Sequence, residues 1–306
     1  MLVTDARIIW NNLKGIVCVY KPAGMKVSRV RRTIINKVCT ELNEMECRPP
    51  VKHVYISGNP SEKLSIEVKP NLADDPLVVG RRYSYNDLLC SWSNYLGQFT
   101  SGILILGLKG GTSTAKYIRE NKSTRAYRIK GMFGLATEDY SKDGRVVEKT
   151  TYKHVKQIHL EKLLSYMQAI HQKTMFELCG VDIQSQTAYE LATQGLIRPA
   201  TSKTPLIYGI KCIDFKLPEF TIEIQCINEY EMYLKSLIHD IGMKMNSSAH
   251  CISLQCIRHS YFTLDHALLH RQWNLQNILK NMEQCAKIIA EHEHIVFQKN
   301  AALQRG

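Results

Sequence analysis

The first clear pattern along the chain is GIVCVY at 15–20, apolar enough for a buried strand, with the turn KPAGM after it. From 30 to 45, VRRTIINKVCTELNEM places apolar residues at helical spacing and turns Arg and Lys to the other face. VKHVYISG and KLSIEVKP flank an Asn59-Pro60-Ser61 turn and predict a hairpin. ILILGL at 103–108 predicts a short buried strand, and GGTSTAKYIREN after it a helix capped by Thr112 or Ser113. AYRIKGMFG at 126–134 predicts another strand, followed by the acidic loop TEDYSKDG. LEKLLSYMQAIH and AYELATQG have helical spacing, while PLIYGIKCIDFK and EFTIEIQCI alternate as an antiparallel pair joined at Leu217-Pro218. YEMYLKSLIHDIGMKM predicts a helix ending near Met245, SLQCIRHSYFTL a strand region, and 275–297 a long amphipathic helix. Strands and helices mix without a regular βαβ rhythm. The expected class is therefore α+β, with one mixed, largely antiparallel sheet flanked by helices.

Charge changes the picture more than hydrophobicity does. Lys and Arg number 40 against 28 Asp and Glu, a net charge of +12 over 306 residues. Such an excess suits a polyanionic partner, because clustered cations release counterions from phosphate. It equally suits a compartment whose proteins run basic, such as the mitochondrial matrix. No apolar run approaches the roughly 20 residues of a membrane helix, so no membrane span is expected. MLVTDARIIWNNLK has no secretory core, and with one Arg, one Lys and one Asp it makes a poor mitochondrial presequence. The ten cysteines include no CxxC pair, and several sit in apolar runs, which predicts reduced, buried thiols.

Three local patterns suggest chemistry and are set aside. His250, Cys251, Cys256 and His259 resemble a zinc set, but strand alternation would send them to opposite faces. Glu138, Asp139 and Asp143 lack the order of a calcium loop and predict a solvated turn. GLKGG at 107–111 lacks the spacing of a phosphate-binding loop. No metal site is assigned.

Several segments taken in order resemble the TruB family of RNA pseudouridine synthases. Strand 15–20 plus KPAGM (Lys21 to Met25) looks like the family's opening motif. LGQFTSGILILGL at 96–108 is similar to its second, a leucine-aspartate pair ahead of a small residue, a glycine and an apolar strand. Ser101-Gly102 and ILILGL fit that motif, and counting back five from Gly102 gives Gly97 where the family has its catalytic aspartate. RAYRIKGMFGLATEDYSKDGRVVE at 125–148 resembles the strand with the base-stacking tyrosine, which maps onto Tyr127. YLKSLIHDIG at 233–242 resembles a helix whose tyrosine maps onto Tyr233 and whose arginine maps onto Lys235. SSAHCISLQCIRHSYF at 247–262 resembles the strands that follow. The wording of EKTTY, GLIRP and RQW looks most like the animal mitochondrial branch.

That resemblance implies a domain at 15–265 with a central RNA cleft, a short extension at 1–14, a C-terminal helical extension at 266–306 and no PUA domain. It implies RNA as partner (mitochondrial rRNA, mRNA or tRNA), other RNA-maturation proteins beside it, and a mitochondrial location, with a cytoplasmic or nuclear one as the alternative. The family's reaction is an isomerisation, so no cofactor is expected. Substrate-binding candidates are Tyr127, Tyr233, Lys21, Arg125 and Arg128, with Lys130, Lys109 and Lys122 near the same face. Taken alone, Tyr127 is a half-buried strand tyrosine, Tyr233 a core residue, Lys235 a solvated helix residue and Lys21 a turn residue. Gly97 supplies no nucleophile, and losing one removes several kcal/mol of transition-state stabilisation. The first expectation is thus an RNA-binding homologue with impaired catalysis. A second is an active synthase whose carboxylate comes from elsewhere, Asp87 or Asp75. A third is a protein-interaction subunit docking through its C-terminal helix.

Overall fold

The computed structural model describes residues 5–45, 51–58, 64–193, 197, 199 and 202–292. Its strands are β1 (Gly15–Lys21), β2 (Lys52–Ser57), β3 (Ser65–Pro70), β4 (Cys90–Trp92), β5 (Ser101–Leu108), β6 (Arg125–Phe133), β7 (Leu135–Thr137), β8 (Val146–Lys149), β9 (Leu206–Lys216), β10 (Glu219–Ile227), β11 (Ala249–His259) and β12 (Phe262–Thr263). Its helices are α1 (Ala6–Asn12), α2 (Val27–Glu44), α3 (Pro76–Val79), α4 (Gly111–Glu120), α5 (Gln157–Leu178), α6 (Gln186–Thr193), α7 (Glu231–Lys244) and α8 (Leu275–Glu291).

The main sheet runs β1-β5-β11-β6-β10-β9, with β4 beside β5 and β12 beside β11. Neighbours are antiparallel except β5 and β11, which run parallel. This is the α+β class that the pattern predicts. β5 is buried from Gly102 to Leu108, as expected of a strand with both faces covered. Where β5 meets β11, Gly102 takes φ +114°, and a Cβ there would lie 2.7 Å from the Cys256 backbone nitrogen. Glycine is therefore required at the point where the two backbones converge.

The sequence pattern misplaces some details. α4 starts at Gly111 without a side-chain cap; Thr112 instead donates its hydroxyl back to the Lys109 carbonyl. The hairpin of β2 and β3 forms, but its Asn59-Pro60-Ser61 turn lies outside the described residues, as do positions 293–297 of the last predicted helix. β11 carries register shifts at Cys251/Ser253 and Cys256/Arg258. These bulges break the alternation expected there, and His250, Cys251, Cys256 and His259 are all buried. Among the described residues, no group of three or more His, Cys, Asp or Glu is placed to hold a metal. Nine of the cysteines are described, and all nine are free thiols.

Both predicted extensions join the main core. α1, with Asp5 accepting from the Arg7 backbone as its N-cap, buries Ala6 and Ile9 in the same apolar cluster as the sheet. α8 buries Leu275, Ile278, Met282 and Cys285 there as well. Asn281 accepts the Cys18 backbone N–H at 2.8 Å and donates to the His266 carbonyl at 2.7 Å. The outer edge of β1 is thereby closed by side chain and loop rather than left open to another strand.

Candidate functional site

Three connections converge where β1 ends. The turn after β1 touches the 97–100 loop, since the Gly24 N–H donates to the Gln98 carbonyl at 2.8 Å. The start of α7 touches it too, because the Thr100 N–H and hydroxyl both donate to Glu231 Oε2 at 2.7 Å. The loop after β7 closes the far side through Asp139, 4.0 Å from the Lys235 ammonium.

Lys21 is the last residue of β1 and is 0% exposed. Its ammonium donates to the carbonyls of Thr100 at 2.5 Å, Pro22 at 3.2 Å and Gln98 at 3.4 Å. It orders the loop and touches no solvent, so RNA contact through Lys21 is excluded in this arrangement. Burial pulls its pKa down to about 8, with Glu231 nearby opposing the fall.

Gly97 is half-buried, and the space beside it is occupied. A Cβ built on Gly97 would land on the carboxylate of Glu231, with even the Glu231 Cβ only 2.7 Å away. A carboxylate, that of Glu231, therefore stands beside Gly97. Asp87 does not supply it, since its carboxylate accepts from the Ser84 N–H and hydroxyl. Asp75 does not either, since it accepts from the Leu77 N–H. Each holds its own turn.

Lys235 is buried at 6% exposure, so it is not a solvated helix residue. Its ammonium lies 3.8 Å from Glu231 Oε1 and 4.4 Å from the centre of the Phe99 ring. Glu231 precedes Lys235 by one helical turn, in the favourable order, and sits at the positive end of α7. Hydrogen bonds from Ser141 hold the Asp139 carboxyl below its usual range, and Lys235 adds to that. Asp139 sits in the solvated turn expected of it, its side chain 46% exposed, and from there helps to fix Lys235.

The other candidates fall elsewhere. Tyr127 is 3% exposed inside the core, and its hydroxyl donates to Glu229 at 2.6 Å. Arg125 pairs with the same carboxylate at 2.6 Å. Burial pushes up both the Tyr127 hydroxyl and the Glu229 carboxyl. In this position neither Tyr127 nor Arg125 presents a face to a ligand. Arg128 pairs with Glu223 at 2.7 Å and Lys130 with Glu219 at 2.6 Å across neighbouring strands. Lys109 donates to the Trp10 carbonyl, and Lys122 to those of Pro199 and Ser202. Tyr233 is half-buried, its hydroxyl 3.5 Å from His171 Nε2. Sequence reasoning missed Glu231 and Asp139. The one available signal was the Glu231–Lys235 spacing, within the helix that the resemblance had already singled out.

Known proteins resemble this chain over most of its length. The model of the TruB family pseudouridylate synthase (N terminal domain) matches residues 92–232, a span containing both Gly97 and Glu231. The chain is 36% identical to pseudouridylate synthase TRUB2, mitochondrial, of Xenopus tropicalis, over 90% of this chain and 87% of that one. With the Homo sapiens protein of the same name it shares 35% identity, over 88% of this chain and 82% of that one. Pseudouridylate synthase TRUB1 of Homo sapiens is 26% identical over 61% of this chain and 53% of its own length. The identity and coverage of the two TRUB2 relatives show that this chain belongs to the TruB family of pseudouridine synthases.

Proposed function

We propose that the chain binds RNA within mitochondria and admits one unstacked uridine to the cleft between the 97–100 loop and the start of α7. The observation that carries this reading is the Glu231–Lys235 pair, partly open to solvent beside Gly97. A uridine leaving its stack costs a few kcal/mol, which a pocket with a ring face and charged partners offsets. Phe99, a half-buried ring whose centre lies 4.4 Å from the Lys235 ammonium, is the proposed face for the base. Exposed Lys26 and Arg29, at the start of α2 beside the turn that touches the loop, suit the flanking phosphates. The mitochondrial names of the relatives support the location, with ribosomal, messenger or transfer RNA as the substrate class and RNA-maturation proteins as neighbours.

Whether the bound uridine reacts depends on a carboxylate. The impaired reading rested on Gly97, and the occupied space beside it favours an active site instead. The interaction-subunit reading has less support, because Leu275, Ile278, Met282 and Cys285 of α8 pack against the core.

Ultraviolet crosslinking in the cells that make the protein tests the binding. Crosslinks are expected from mitochondrial RNA to peptides spanning 97–101 or 231–235. Recovery of no RNA above background would overturn the reading.

A further inference from the structure

On the reading that the cleft takes up a uridine, we propose that Glu231 supplies the carboxylate that isomerises it to pseudouridine. It reaches from α7 the place that a side chain at position 97 would reach from the loop.

A Cβ on residue 97 and the Glu231 carboxylate cannot both exist in the observed positions. The Glu231 carboxylate fills the space that the first carbon of a side chain at 97 would take, so the two positions exclude each other. In this chain position 97 is empty and position 231 is filled.

The two oxygens of Glu231 have different surroundings. Oε2 accepts both Thr100 bonds, which fix the carboxylate in rotation and depth. Oε1 faces the Lys235 ammonium at 3.8 Å and accepts no hydrogen bond among the described residues. It is the oxygen left for a ligand. The Glu231 side chain is 21% exposed, enough to be met from the cleft. A residue used only to staple the loop would need neither the free oxygen nor the opening. Lys235 and the positive end of α7 set positive charge beside this carboxylate. Asp139, engaged with Ser141 and Lys235, steadies that cation from the other side.

The reaction then balances without any co-reactant. Oε1 adds to ribose C1′ while the C1′–N1 bond breaks and its electron pair leaves with the uracil. The uracil anion turns within the pocket. Its C5 attacks C1′, and the C1′–O pair returns to Oε1, restoring the carboxylate. C5 loses its hydrogen as a proton and N1 gains one, so product and substrate contain the same atoms. Two inversions at C1′ leave the glycosidic configuration unchanged. Glu231 is in this sense a catalytic residue, and Lys235 and Asp139 are positioning residues.

The test is made in cells from which the chain has been deleted and then restored as wild type or as Glu231→Gln. Glutamine keeps the length and an oxygen for Thr100 but carries no charge. Pseudouridine is mapped at single-nucleotide resolution, and RNA crosslinking is measured in the same cells. Wild type is expected to restore a set of pseudouridines, and Glu231→Gln to crosslink equally while modifying the same sites ~1000-fold more slowly. Modification by Glu231→Gln within tenfold of wild type would overturn the proposal. So would a wild type that crosslinks RNA yet restores no pseudouridine, although the binding function would then stand. Absence of both crosslinks and pseudouridine would overturn the binding reading along with this one. Should Glu231→Gln fail to accumulate, Glu231→Asp decides. Its charge remains but sits one methylene back, and a loss of ~100-fold with binding kept is expected. An unchanged rate in that variant would equally overturn the proposal.

Discussion

At the scale of single residues, the site depends on which groups share one small volume. Gly97 was legible as an anomaly, because its place in a motif can be counted from Gly102. Glu231 was not, because it sits 131 positions from the Thr100 it bonds, and only the fold sets that approach. Two predictions belong here. Lys235→Met removes the cation that helps hold the Asp139 carboxyl down, so the folded Asp139 pKa rises. Stability should fall by about 1–3 kcal/mol at pH 7 and partly recover as the pH is lowered and Asp139 protonates, measured by urea unfolding. A loss that is independent of pH would contradict the pairing. The second concerns Lys21, whose folded pKa of about 8 lies below its ordinary 10.5. Between those values the unfolded chain binds the extra proton, so this group's contribution to stability rises with pH. The stability difference between wild type and Lys21→Met should therefore shift toward wild type from pH 7.5 to pH 9.5. No shift would mean that the amine is hydrated.

At the scale of elements, what the pattern revealed and what it missed divide by whether the signal is local. β5, β6, α2 and α7 were legible because their apolar spacing is set by the surface they cover. The bulges in β11 were not, because they arise from pairing with β6; His250, Cys251, Cys256 and His259 are all buried there despite the alternation expected of them. The resemblance begins at 15 and so leaves α1 outside the domain, whereas Ala6 and Ile9 pack into the main core. The role of Asn281 was likewise invisible, since one polar residue on an apolar helix face does not disclose the strand edge it serves. Asn281→Leu should cost about 2 kcal/mol in urea unfolding, because the Cys18 N–H loses its partner in a buried place. Gly102→Ala should cost at least about 3 kcal/mol or prevent folding, because both its φ and the Cys256 backbone exclude a Cβ. A neutral outcome at Gly102 would mean that β5 and β11 do not converge as described.

At the scale of the whole molecule, charge and fold give one consistent account. The excess of +12 was legible at once, but its distribution was not. The strand cations Arg128 and Lys130 are matched by glutamates, which leaves Lys26 and Arg29 at the turn beside the cleft. RNA affinity should fall steeply with salt, with a log–log slope reduced by about 1–2 in the double variant Lys26→Ala, Arg29→Ala. An unchanged slope would place the phosphate track elsewhere. Above all, the account holds that positions 97 and 231 compete for one place, and a stability cycle tests this most directly. Wild type, Gly97→Asp, Glu231→Gly and the double variant are compared by chemical unfolding. We expect Gly97→Asp alone to lose several kcal/mol through overlap, and the double variant to be at least ~2 kcal/mol more stable than the sum of the single losses predicts. Losses that add to within about 0.5 kcal/mol would show that the two positions do not share a site, and would contradict the account.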